Sequence, residues 1–118
     1  MYQYIAHVTK VYDGDTITVD IDLGFGVWLK KQKIRLSGIN TPEIRGEERP
    51  EGLIARDRLK EWVLDQQVLI VTEKDKAGKY GRWLGEIFSY NKYIDDPVSA
   101  GVSYNQMLLN EGLAEPYE

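Results

Sequence analysis

Hydrophobic and polar residues change rhythm several times along the chain, and each change marks an element. Residues 4–12 alternate weakly, with Ile5, Val8, Val11 and Tyr12, and predict a strand. Asp13-Gly14-Asp15 predicts a turn, because Asp and Gly tolerate turn backbone angles. Residues 16–23 are the cleanest period-two segment, with β-branched residues facing acids, and predict a half-buried strand. Gly24-Phe25-Gly26 is a hairpin connection, and residues 27–36 form the returning strand. Residues 37–52, rich in Gly, Pro and charge, read as an ordered turn followed by a mobile loop, with 45–51 its charged part.

The period then becomes helical. Ala55, Leu59, Trp62 and Val63 fall at i, i+4, i+7 and i+8, predicting a helix over 53–65. Residues 67–72 are apolar on both faces, as in a buried strand. A turn at 76–81, a strand at 82–90, a loop at 91–101 and a helix at 102–111 follow, and Gly112 is placed to cap that helix. Three strands, a helix, two strands and a helix favour a five-stranded barrel over an alternating parallel sheet. The fold class is therefore mainly β with helices (α+β). Neither an internal repeat nor a domain boundary is visible, so residues 1–118 read as a single domain.

Composition narrows the chemistry. With 118 residues the chain is long enough for one core. Zero cysteines exclude a disulfide framework, a thiolate zinc site and a cysteine nucleophile. No apolar run approaches membrane-spanning length, so no membrane partner is expected. No leader is visible either, which fits a mature secreted protein and an intracellular one equally. The net charge of −4 argues against broad electrostatic binding of nucleic acid. That charge is uneven, however: residues 28–60 carry nine basic and five acidic side chains, or +4.

Asp13 and Asp15 share one turn, and beyond the hairpin come Arg35 and Asn40-Thr41-Pro42-Glu43. Their oxygens are hard ligands suited to Ca²⁺ or Mg²⁺, and arginines beside such an ion suit a phosphate. The bland alternatives are a structural turn at Asp13-Gly14-Asp15 and solvated charges elsewhere. Lys30, Lys31 and Lys33 read as a solvated hairpin, His7 as a strand residue, and Trp62 and Trp83 as core. Trp28 has no assigned role.

At the same residues the sequence resembles the staphylococcal nuclease (thermonuclease) family. Val11-Tyr12-Asp13-Gly14-Asp15-Thr16, Ile34-Arg35-Leu36-Ser37-Gly38-Ile39-Asn40-Thr41-Pro42-Glu43, Lys79-Tyr80-Gly81-Arg82 and Asn110-Glu111-Gly112-Leu113-Ala114 occur in order. Four such blocks, spanning about residues 5–114, are highly specific together. The resemblance implies an OB-fold barrel with two or three helices that cuts DNA and RNA with Ca²⁺. It assigns Asp15, Asn40 and Thr41 to the metal, Thr41 through its backbone carbonyl. Glu43 becomes the general base, with Asp13 supporting the metal carboxylate. Arg35 and Arg82 hold the scissile phosphate, and Lys79 and Tyr80 contact a neighbouring one. Asn40 departs from the Asp of the best-known members, which predicts weaker calcium binding. A monomer is expected.

Overall fold

The computed structural model describes residues 2–72, 82–90 and 101–117. Five strands close into a barrel in the order β1-β2-β3-β6-β5: β1 Tyr2–Asp13, β2 Thr16–Asp22, β3 Trp28–Leu36, β5 Gln67–Thr72 and β6 Trp83–Ser89. All neighbours pair antiparallel except β3 and β6, which run parallel through Ile34↔Trp83 and Leu36↔Gly85. This is the five-stranded α+β barrel expected from the strand order, and it is OB-fold-like, as the resemblance implies. Alternation explains the core: Ala6, Val8, Val11, Ile17, Val19, Ile34, Val68, Ile70 and Ile87 point inward and are buried.

Irregularities in the ladder re-aim side chains. A bulge between Val8 and Lys10 of β1 leaves both Thr9 and Lys10 exposed while keeping Val8 and Val11 inside. The helix α1, Arg49–Val63, buries Gly52, Ala55, Leu59 and Val63 against the barrel. It begins four residues earlier than its apolar period does, and a 3-10 turn, Gly46–Glu48, precedes it. The charged stretch 45–51 is therefore not simply a mobile loop. Pro50 is tolerated in the first helical turn because an N–H there has no intrahelical partner, and Glu51 favours the positive helix end. At the other end Leu64 is extended, and the Asp65 N–H donates to Val8 O at 2.9 Å, so the helix stops two residues before the sequence expectation.

The second helix, α2 Tyr104–Asn110, starts at Ser103, whose hydroxyl accepts from the Gln106 N–H. Gly112 follows it with φ 73°, the left-handed cap that its position predicts. Trp62 of α1 stacks on Tyr104 with ring centroids 5.7 Å apart, and Arg58 ion-pairs with Glu111 at 2.8 Å, tying the two helices. One small ribbon lies outside the sequence expectation: β4 Ile39–Asn40 pairs antiparallel with β7 Glu115–Pro116. Two-residue strands carry no period, so alternation cannot reveal them. The turn expected at 76–81 and most of the loop at 91–101 fall outside the described residues.

Candidate active site

The site forms where the β1–β2 turn meets the end of β3 and the segment that follows it. Between β1 and β2 the chain turns at Gly14 and Asp15. Gly14 does not take a left-handed φ; its requirement is space. A Cβ there would lie 2.8 Å from Thr41 Cγ2 and Oγ1 and from Ala55 Cβ. The turn thus packs directly under Thr41, a reason different from the backbone freedom that the sequence reading gave it.

That packing brings the second motif onto the first. Asp15 is buried, and its Oδ2 accepts from the Thr41 backbone N–H at 3.1 Å and from Arg35 Nη2 at 3.3 Å. Arg35 Nη2 also donates to Asn40 Oδ1 at 3.2 Å, so both side-chain oxygens converge on one nitrogen. Arg35 Nη1 donates to the carbonyls of Leu36 and Ile39, at 2.9 and 3.0 Å. The guanidinium is locked in plane by its own turn. Its carbon also lies 5.1 Å from the ring centroid of Tyr117, a cation–π contact. Tyr117 is held there by the β4–β7 ribbon and by its N–H donating to Gly38 O at 2.9 Å. No motif block or period marks Tyr117, because the ribbon that places it is too short to carry one.

Arg82 reaches the same cluster through a hydroxyl. Its Nη1 donates to Thr16 Oγ1 at 3.3 Å, and Thr16 Oγ1 donates to Asp15 Oδ1 at 3.2 Å. Beside it runs a groove of about 360 Å³ lined by Lys10, Tyr12, Thr16, Thr18, Lys33 and Arg82. Asp13 sits behind Asp15, its Oδ1 accepting from the Asp15 N–H at 3.1 Å. Burial first, then the hydrogen bond and charge of Asp15, push the Asp13 carboxyl up to about 7.

Glu43 stands apart from this network. It is exposed, and its backbone N–H donates to Glu48 Oε2 at 3.2 Å. Its position is set from below by Gly52 of α1, where a Cβ would overlap the Glu43 carbonyl. Lys79 and Tyr80 lie outside the described residues. The structure therefore joins Asp15, Arg35, Asn40 and Thr41 directly, with Asp13 bonded to the Asp15 backbone and Arg82 linked to Asp15 through Thr16.

The donors suit a hard cation. A buried carboxylate and a carboxamide oxygen converge, and Thr41 Oγ1 is buried without a hydrogen-bond partner among the described residues. Such oxygens fit Ca²⁺ better than a transition metal. They fit it weakly: no group of three or more His, Cys, Asp or Glu side chains that would hold a metal occurs among the described residues. Asp15 contributes the one carboxylate of the proposed set.

Barrel, arginine–carboxylate cluster and motif order together define a nuclease-like domain. The chain belongs to the staphylococcal nuclease family: the family model described as staphylococcal nuclease homologue matches residues 33–118. An uncharacterized protein of Methanocaldococcus jannaschii is 33% identical over 135 residues, covering 97% of this chain and 59% of that protein. Thermonucleases of Staphylococcus hyicus and Staphylococcus intermedius are 32% and 30% identical over 110 residues. Each alignment covers 91% of this chain and 56% of the thermonuclease. The chain thus spans less than three-fifths of the curated relatives it matches. No helix among the described residues is long and apolar enough to cross a membrane.

Proposed function

We propose that this domain is a Ca²⁺-dependent phosphodiesterase, an endonuclease hydrolysing DNA and RNA with little sugar or sequence preference. The observation that carries the reading is the convergence of Asp15, Arg35, Asn40 and Thr41 at one end of the barrel. Two relatives named thermonuclease add support. In this reading Asp15, Asn40 and the Thr41 carbonyl hold the calcium ion. When bound, the ion neutralises phosphate charge and orients oxygen ligands.

The chain's own residues do the rest. Arg35 and Arg82 grip the scissile phosphate, and their guanidinium forks match the charge that develops on its oxygens. Glu43, exposed on the adjacent turn, accepts the proton of the attacking water. Asp13 fixes the Asp15 backbone. Lys79 and Tyr80 contact a neighbouring phosphate, and the groove with Lys10 and Lys33 takes the flanking strand. We read residues 1–118 as one such domain and as a monomer.

A second reading, a catalytically silent nuclease-like domain that binds nucleic acid or protein, draws on one observation. Arg35 donates to Leu36 O and Ile39 O and to both proposed metal-ligand side chains, Asp15 Oδ2 and Asn40 Oδ1. Catalysis requires the guanidinium to exchange those partners for phosphate and metal. Cleavage of single-stranded DNA with Ca²⁺, with EDTA and by Glu43→Gln separates the two readings. The nuclease reading predicts cleavage that EDTA abolishes and the variant lowers by roughly a hundredfold or more. Absence of cleavage at any metal concentration promotes the silent domain.

A further inference from the structure

The groove beside Arg82 contains a ring that the proposed mechanism does not use. Tyr12 lines it together with Lys10, Thr16, Thr18, Lys33 and Arg82, and is 41% exposed. Strand pairing explains why the ring is offered outward. β1 shifts register between Val11 and Asp13: Val11 faces Ile17, Asp13 faces Thr16, and Tyr12 has no partner on β2. An extra residue of this kind re-aims its side chain. The Tyr12 hydroxyl then accepts from Arg45 Nη2 at 3.2 Å, which ties the far edge of the ring to the segment that carries Glu43.

We propose that Tyr12 is a base-stacking platform, on which the nucleotide next to the scissile phosphate lays an unpaired base. The inference rests on the proposed function in taking nucleic acid as the ligand, and adds the residue that holds a base. Three observations carry it. First, the described lining residues comprise three cations, two hydroxyls and one aromatic ring, with no acid. A cationic groove that follows the backbone, with an aromatic face for the base, is the combination that single-stranded nucleic acid takes. The ring, rather than net charge, selects the ligand. The acids of β2 and of the turn before it stay outside the lining: Asp13 and Asp15 are buried, Asp20 Oδ1 accepts from the Lys31 N–H at 3.0 Å, and Asp22 Oδ1 accepts from the Gly24 N–H at 2.8 Å.

Second, Tyr12 lies on the path between phosphate-binding groups. Lys10 and Lys33 pair with Thr18 from either side, and Arg82 donates to Thr16, about 7 Å back along β2. Tyr12 sits on β1 between the levels of Thr16 and Thr18, so a strand running from Arg82 to the two lysines passes its ring. Among the described residues neither lysine forms an ion pair, and both are exposed. Third, the ring is held in advance. A tyrosine fixed at its hydroxyl loses little further freedom when a base covers it.

Fluorescence anisotropy in EDTA at low salt tests the proposal without cleavage. The probes are a labelled thymidine octamer and an octamer of the same sugar–phosphate backbone without bases. The parent should bind the thymidine octamer at least about fivefold more tightly, and Tyr12→Ala should abolish that preference. Tyr12→Phe, which keeps the ring, should retain it. Tyr12→Leu, which keeps the bulk and loses the π-face, gives the same readout should Tyr12→Ala unfold. The combined Lys10→Gln and Lys33→Gln variant should weaken both probes alike and flatten their salt dependence. A parent that binds both probes equally, or neither, overturns the proposal. So does a preference that survives Tyr12→Ala or is lost with Tyr12→Phe. Cleavage of the thymidine octamer with Ca²⁺ is scored separately. Its absence counts against the nuclease reading alone, and a base preference that depends on Tyr12 upholds the platform in either case.

Discussion

Asp15 Oδ2 and Asn40 Oδ1 share one arginine nitrogen, and most of the site's chemistry follows from that arrangement. Lysine at position 35 would keep the charge and lose the fork that spans Leu36 O, Ile39 O and both side-chain oxygens. Arg35→Lys should therefore lower kcat by about a hundredfold, measured on single-stranded DNA, and should also lower the unfolding midpoint, because Leu36 O, Ile39 O and the buried Asp15 lose donors. Asp13 supplies a pH signature. Its folded carboxyl keeps a proton up to about pH 7, whereas the unfolded chain releases it in the ordinary range near 4. The folded state then binds more protons between those values, so stability contributed here falls as pH rises through that window and levels above it. Urea unfolding in EDTA should show the decline, and Asp13→Asn should flatten it; an unchanged slope would refute the assignment. Asp15, Arg35, Asn40 and Thr41 were legible in the sequence because each sits in a motif block. Thr16 as the relay to Arg82, and Tyr117 over Arg35, were not: they touch the site across strands, and spacing does not encode that.

At the scale of elements, two residues, Gly52 and Asn105, set large pieces of the architecture. Gly52 lets α1 lie against the backbone of Pro42 and Glu43. Gly52→Ala should displace that turn and lower kcat well beyond its effect on KM, while Ile54→Ala on the exposed face of the same helix should do neither. Asn105 is buried in α2 and bridges backbone groups of β6 and of the residue after β3. It donates to Ser37 O at 2.8 Å and Gly85 O at 3.3 Å, and accepts from the Ile87 N–H at 3.0 Å. Asn105→Ala should cost about 1–3 kcal/mol in denaturant unfolding, because it leaves a buried amide and two carbonyls short of partners. The barrel strands and both helices were legible because their periods run long enough to count. The β4–β7 ribbon and the early start of α1 were hidden, one by brevity and the other by charge. A polar first turn looks like a loop until the acids and Pro50 are read as an N-terminal signature.

Across the whole molecule, charge is arranged rather than averaged. Residues 1–27 carry −3 and residues 61–118 carry −5, while residues 28–60 carry +4 and supply Arg35 and Lys33. Net charge alone argues against broad electrostatic binding of nucleic acid and is silent about a local site. One barrel end gathers the arginines, the buried carboxylate and Asn40; the opposite end presents an apolar tip. The account turns on Asn40 as a neutral metal ligand. Its most direct test is a calcium titration of single-stranded DNA cleavage by the parent protein and by Asn40→Asp. Cleavage should appear with calcium, and the variant's midpoint should fall at least about tenfold lower because the site regains a negative ligand. Coincident midpoints, or no cleavage at any calcium concentration, would contradict it.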